Sequence, residues 1–261
     1  MYTNTTKQQL EAGEVVIGLG VQQVANINIA ALAKRSGFDF LFIDMEHGPL
    51  DISSVANIAS AALPQGIAGL VRVPGKLSPL ISRLLDSGAQ GVIVPHVDTA
   101  EEAALVVKAC KYAPVGLRSF LGTQPHFSYA NVPVAETMQR ANEQILVTVM
   151  LESPLAIANA DAIAAVPGID VLMIGSNDLS MELGIAGQVG HADVVAAYRA
   201  VIAACEKHGK FPGMGGVPDA ALTRRYIDMG MRFILGANDT DLLIAGGLQR
   251  LAALRPGALT V

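Results

Sequence analysis

Residues 145–180, ILVTVMLESPLAIANADAIAAVPGIDVLMIGSNDLS, hold two short apolar runs with a helical segment between them. ILVTVML (145–151) and DVLMIG (170–175) show almost no polar alternation, the pattern of strands covered on both faces. AIANADAIAAV, between them, is Ala-rich and closes at Pro167 and Gly168. A strand, a helix and a second strand so close in sequence form one βαβ unit, which forces the two strands parallel. Each run ends near an acid, Glu152 in the first and Asp178 in the second.

The same unit repeats outward in both directions. VVIGLG (15–20), FDFLFID (38–44), AGLVRV (68–73) and GVIVPHV (91–97) precede it, and FPGMGG (211–216) and RFILGA (232–237) follow, eight strands in all. NIAALAKRSG, AEEAALVVKAC, ADVVAAYRAVIAACEKHG and DAALTRRYIDMG read as intervening helices, several ended by glycine. The fold class is therefore α/β, with residues 1–261 expected to form a single (β/α)8 TIM-type barrel. Polar residues gather at one end of the strands: Asp44, Arg72, His96, Glu152 and Asp178 all stand at or just past the C-terminal end of an apolar run. Barrel enzymes carry their chemistry on that face, which favours closure over an open doubly wound sheet. The long irregular stretch 111–134 is expected as a lid over it.

Composition removes several function classes. Hydrophobic residues are 51% and charged ones 16% of the 261, an apolar excess that suggests surface buried between subunits. The net charge of −5 comes with no basic stripe, so neither nucleic acid nor an anionic membrane is indicated as partner. No apolar run is long enough for a membrane helix. Two cysteines, Cys110 and Cys205, and a start without basic and apolar blocks point to a reducing cytoplasm.

The acids suggest the chemistry. Glu152 and Asp178, one βα unit apart, offer hard oxygen ligands suited to Mg²⁺ or Mn²⁺, with Co²⁺ or Zn²⁺ as alternatives; such ions often take only one or two protein carboxylates. Arg72 offers a planar fork for a substrate carboxylate or enolate. His47 is the candidate general base, and Asp44, three residues earlier, the candidate acid that orients its imidazole. Each residue has a plainer reading: Asp51 and Asp178 as helix caps, Arg72 as an ordinary ion pair, His47 as a satisfied histidine. Their convergence at the ends of four runs is what independent capping does not explain.

The chain also resembles the HpcH/HpaI aldolase family, the metal-dependent class II pyruvate aldolases. FDFLFIDMEHGPLD, LVRVP, LLDSGAQGVIVPHVDTAEEA, APVGLRS, the 151–180 segment and MGMRFILGANDTDLL carry the resemblance, in order and along nearly the whole chain. It implies that Glu152 and Asp178 are metal ligands, that Arg72 contacts the pyruvate carboxylate and enolate, and that His47 is the base with Asp44 as its partner. It further implies that Asp86 is an additional acid near the site or across a subunit interface; by spacing alone Asp86 reads as a surface helix residue. The implied reaction is reversible cleavage of a 4-hydroxy-2-oxo acid to pyruvate and an aldehyde through a metal-stabilised enolate. The implied assembly is a barrel whose last helix is exchanged between subunits, usually in hexamers. Met150 stands where many relatives have Gln, Ser119 where Gly is usual, and Ser176 and Asn177 where relatives read Pro and a small residue. These departures bear on the substrate pocket.

Competing readings carry less. GLGVQQ lacks the spacing of a dinucleotide loop, and there is no P-loop. Cys205 and His208 have no second ligand pair, so a buried cysteine and a solvated histidine fit better than a metal site. His96 reads equally as a structural or a pocket residue, and His126 as a solvated loop residue or a substrate contact. An acyl-CoA lyase of the citrate-lyase-like branch would need a basic groove, for which Arg118, Arg224 and Arg225 are the loose candidates. A non-catalytic barrel that binds small acids is the other alternative.

Overall fold

The computed structural model describes residues 1–255. Eight parallel strands close a barrel in chain order: β1 (Val16–Val21), β2 (Phe40–Asp44), β3 (Ala68–Arg72), β4 (Gly91–Val94), β5 (Leu146–Leu151), β6 (Val171–Gly175), β7 (Phe211–Gly215) and β8 (Phe233–Asn238). Each falls on an expected apolar run. β4 ends earlier than GVIVPHV suggests, because Pro95 brings no N–H for the ladder.

Helices cover the outside: α1 (Thr5–Glu11), α2 (Ile29–Arg35), α3 (Ile52–Gln65), α4 (Ile81–Asp86), α5 (Ala100–Cys110), α6 (Val134–Gln144), α7 (Pro154–Ala158), α8 (Ala160–Ala164), α9 (Ser176–Glu182), α10 (Ala192–His208), α11 (Ala220–Met229) and α12 (Asp239–Leu254). Their ends follow local chemistry. Asp51 caps α3 by accepting the Ser54 N–H at 2.7 Å, and Asp219 caps α11 by accepting that of Leu222 at 2.7 Å. Asp51 thus takes its plainer reading.

Two apolar layers result. Inward side chains, including Phe40, Phe42, Leu70, Ile93, Met173 and Phe233, fill the barrel, while the larger layer lies between strands and helices. Phe40 and Phe233 stack at 4.3 Å between centroids, and Gly18 leaves room for them, since a Cβ there would run into the Phe40 ring. Each such buried side chain contributes about 1.5–3 kcal/mol. α1 closes the N-terminal end: Leu10 joins the inner layer, and the Asn4 carboxamide donates to the carbonyls of Gln90 and Gln144. Access remains at the C-terminal mouth.

The 111–134 stretch lies at the opposite end from its expected place. Lys111 Nζ donates to the Ile145 carbonyl, just before β5 begins, and the Tyr2 N–H donates to the His126 carbonyl beside α1. The segment follows a helix rather than a strand, so it returns at the N-terminal face and is not a lid. No described helix is long and apolar enough to cross a membrane.

α12 departs from the usual outer ring. From Asp241 to Leu254 every residue is exposed, Leu243 at 75% and Ile244 at 61%. On the barrel wall where a last helix would rest, Ile17 of β1 and Gly236 of β8 are exposed as well. Two apolar faces thus stand uncovered in one chain.

Candidate active site

The parallel register brings the mouth's charged groups together. Asp44 and Arg72 are opposed residues at the ends of β2 and β3, so their side chains lie on the same side of the sheet. Arg72 Nε donates to Asp44 Oδ1 at 2.9 Å and Nη2 to Oδ2 at 2.6 Å, a two-pronged ion pair with Asp44 fully buried. Burial pushes the Asp44 carboxyl up, but the Arg72 guanidinium outweighs it and holds the group below the usual carboxylate range. Arg72 Nη1 reaches Glu46 at 3.0 Å, and the guanidinium packs over the Phe42 ring.

That pairing corrects the expected His47–Asp44 dyad. Asp44 accepts the backbone N–H of Glu46 at 3.0 Å and that of His47 at 3.4 Å, and takes the Gln22 carboxamide at 3.3 Å. The His47 ring instead has Glu46 as its acidic neighbour, with Nε2 3.7 Å from Oε2, and its side chain is 58% exposed at the rim. Glu46 also lies 3.6 Å from the His96 ring. One carboxylate therefore faces Arg72 and both histidines of the mouth. In the sequence DMEH (44–47) displays Glu46 as a titratable residue, but only the folded turn reveals its role as a hub.

Glu152 and Asp178 line the same cavity, of about 160 Å³, with Arg72, His47, Gln22, Met150, Ser176 and Asn177. Glu152 is buried, and its Oε2 accepts the His96 backbone N–H at 2.9 Å while the His96 ring nitrogen Nδ1 stands 3.2 Å away. His96 makes this contact from a left-handed backbone conformation, φ +54°, uncommon for a side-chain-bearing residue and concentrated at functional sites. Burial pushes the Glu152 carboxyl above its ordinary range, and the neighbouring carboxylates of Asp178 and Glu46 add to this against the opposing pull of His96. Gly175 makes the position of Glu152 possible, since a Cβ there would lie within 2.7 Å of the Glu152 Cγ. Asp178 is the third residue of α9 and points into the cavity, so its reading as a cap does not apply. Ser176 Oγ is turned to the Tyr198 hydroxyl at 2.7 Å, and Met150 forms an apolar part of the floor.

Among the described residues no group of three or more His, Cys, Asp or Glu is arranged to hold a metal. Two buried or half-buried acids with free oxygens, kept close against their mutual repulsion, fit a hard divalent ion that draws its remaining ligands from water and substrate.

Asp86 does not reach this cavity within one chain. It ends α4, and Arg118 Nη2 donates to it at 2.6 Å while stacking on Tyr112, 4.5 Å from the ring centroid. His126 lies beside that cluster, buried, with Nε2 donating to the Ala89 carbonyl at 2.9 Å. Arg118 is thus buried structure rather than a CoA-phosphate contact, and His126 is neither solvated nor in reach of substrate. Asp239 carries no signal in the sequence alone. Its Oδ2 accepts three successive backbone N–H groups, of Gln22, Gln23 and Val24, at 3.1, 2.9 and 2.8 Å, and so fixes the loop that presents Gln22 to Asp44.

A closed parallel barrel whose C-terminal mouth gathers acids, an arginine and two histidines defines a (β/α)8-barrel enzyme. The model of the HpcH/HpaI aldolase/citrate lyase family matches residues 22–245, and the chain belongs to that family. It is 38% identical to a 4-hydroxy-4-methyl-2-oxoglutarate aldolase of Hapsidospora irregularis, over 97% of this chain and 95% of that protein. It is 37% identical to a hydroxypyruvate/pyruvate aldolase of Pseudomonas aeruginosa, over 98% and 94%. The crystal structure of an HpcH/HpaI aldolase from Desulfitobacterium hafniense superposes with a TM-score of 0.89 at 30% identity, covering 97% of this chain and 98% of that one.

Proposed function

We propose that this chain is a divalent-metal-dependent aldolase, a carbon–carbon lyase that reversibly cleaves a 4-hydroxy-2-oxo acid to pyruvate and an aldehyde. The observation that carries the reading is one small cavity lined by Glu152 and Asp178 together with Arg72 and His47. Glu152 and Asp178 would hold the ion, Mg²⁺ or Mn²⁺ by donor chemistry, with Co²⁺ or Zn²⁺ tolerated by the same oxygens. A bound divalent ion would polarise the 2-oxo acid and lower the cost of its enolate.

The chain's own groups supply the rest. Arg72, locked by Asp44 and Glu46, presents fixed positive charge to the substrate carboxylate and the developing enolate oxygen. His47 accepts the methyl proton of pyruvate in the addition direction and returns one in cleavage, and Glu46 stabilises its imidazolium. Asp44 acts by holding Arg72. Met150, Ser176 and Asn177 shape the pocket and thereby the acceptor. Asp86 would act at this chemistry only from another subunit.

The uncovered faces of α12 and of β1 and β8 support an assembly in which α12 rests on the neighbouring barrel, in a homo-oligomer for which a hexamer is our reading. Two buried free thiols suit a reducing cytoplasm.

Proton NMR of pyruvate in D₂O tests the half-reaction that needs no aldehyde. Loss of the methyl signal with Mg²⁺, abolished by EDTA and by Glu152→Ala and slowed about 10²- to 10⁴-fold by His47→Ala, is expected. Absence of exchange with every divalent ion, with and without an aldehyde present, would overturn the reading.

A further inference from the structure

Beside the main cavity the mouth opens into a second recess, of about 400 Å³, between β7 and β8. Asn177, Gly216, Leu235 and Asn238 line both spaces, so a substrate held in the first by Arg72 would direct its far end along this shared wall. Arg72 itself stands on β3, across the barrel. Val217, Pro218, Gly236, Ala237 and Asp241 belong to the recess alone, and Gly236 marks its outer edge, where it meets the uncovered wall of β8.

The chemistry of this lining is selective. Among the described residues of the chain, Asp241 is the one ionisable residue that lines it, and no lysine, arginine or histidine accompanies it. Asn238 Nδ2 donates to Asp241 Oδ2 at 3.0 Å, which fixes that carboxylate and leaves Oδ1 as an acceptor. The Asn177 carboxamide has no partner among the described residues and offers one acceptor and two donor hydrogens. Val217, Pro218 and Leu235 supply apolar contact. A hydroxyl group can donate to Asp241 and exchange hydrogen bonds with Asn177. A carboxylate would enter beside a like charge with no cation to offset it.

We propose that this recess is the acceptor subsite, and that it selects aldehydes with an uncharged, hydroxylated substituent over aldehydes that carry a carboxylate. The inference rests on the reading of the main cavity as the pyruvate site. In the step concerned, the pyruvate methyl carbon loses a proton and bonds to the aldehyde carbon, whose oxygen gains a proton; nothing is oxidised or reduced. Asp241 and Asn177 act on the substituent, not on the reacting atoms.

The test compares kcat/KM for addition of pyruvate to aldehydes matched in length: glycolaldehyde against glyoxylate, and 4-hydroxybutanal against succinic semialdehyde. The hydroxylated member of each pair is expected to be preferred roughly tenfold, and rising salt to narrow the gap, as for one like charge in a part-exposed site. Asp241→Asn is expected to shrink the ratio several-fold and Asp241→Lys to invert it; a ratio taken within one variant cancels any general loss of activity. Equal or better use of the carboxylated aldehydes by the wild type, or a ratio unmoved by both variants, would overturn the proposal. Methyl-proton exchange in pyruvate alone separates the two levels of failure. Exchange with the wrong acceptor preference removes only the recess reading, whereas no exchange and no addition to any of the four aldehydes removes both.

Discussion

Arg72 is held from two sides, by Asp44 at 2.6 Å and by Glu46 at 3.0 Å, and the site depends on that grip. Lysine offers a point charge where Asp44 needs a fork, so Arg72→Lys is expected to lower kcat/KM for cleavage about 10²-fold or more. Arg72→Ala leaves the buried Asp44 carboxylate without its cation and is expected to cost about 3–5 kcal/mol in urea denaturation, the range for a broken buried pair. A stability loss below 1 kcal/mol would mean that water replaces the guanidinium. Met150→Gln puts a carboxamide into the cavity floor without touching either acid, so acceptor preference is expected to change more than metal affinity, read by kinetics and calorimetry. Lost metal binding with unchanged preference would contradict this. The acids of the mouth were legible in the sequence because each interrupts an apolar run. Their partners were not: Asp44 stands three residues from His47 in the chain, but strand register gives it to Arg72, and one strand read alone carries no register.

Elements were legible where apolar periodicity was strong. β2 to β6 were readable because their runs are buried on both faces, and β1, β7 and β8 because their runs stay apolar although Ile17 and Gly236 are exposed. α6 was missed since VAETMQRANEQ is mostly polar and only Thr137 and Ala141 are buried; without it the 111–134 stretch reads as a long loop of uncertain side rather than a return to β5. α12 shows the opposite limit. Its apolar residues predict burial, but no single chain says by what. If a neighbouring barrel covers it, charges on its bare face should act on assembly rather than folding. Leu243→Glu combined with Ile244→Lys is expected to reduce the oligomer to smaller species in light scattering while circular dichroism keeps its helical signal. An unchanged mass would show that this face is not an interface.

The whole molecule divides its labour between the two ends of the barrel, as this architecture commonly does, with chemistry at the mouth and stability at the base. The mouth tolerates strain and close like charges, in His96 and in Glu152 beside Asp178. The base instead buries polar groups as structure, and His126 makes that measurable. Burial lowers its pKa from 6.5 to about 4, against the opposing pull of the Ala89 carbonyl, with Arg118 adding to the lowering. In the unfolded chain the imidazole takes a proton near pH 6.5, whereas the folded protein refuses it until about pH 4. Between those values the unfolded state binds more protons, so stability rises with pH there and falls as pH drops, reaching a loss of roughly 3 kcal/mol at the lower end. Above pH 7 both states are neutral at this site and the contribution is flat. Urea denaturation at a fixed protein concentration, in steps from pH 7.5 to 4, should show that decline, and His126→Gln, whose amide can still donate to the Ala89 carbonyl, should flatten it. The other described histidines are partly exposed, so an equal slope in the variant would place the titrating group outside the base and contradict the assignment.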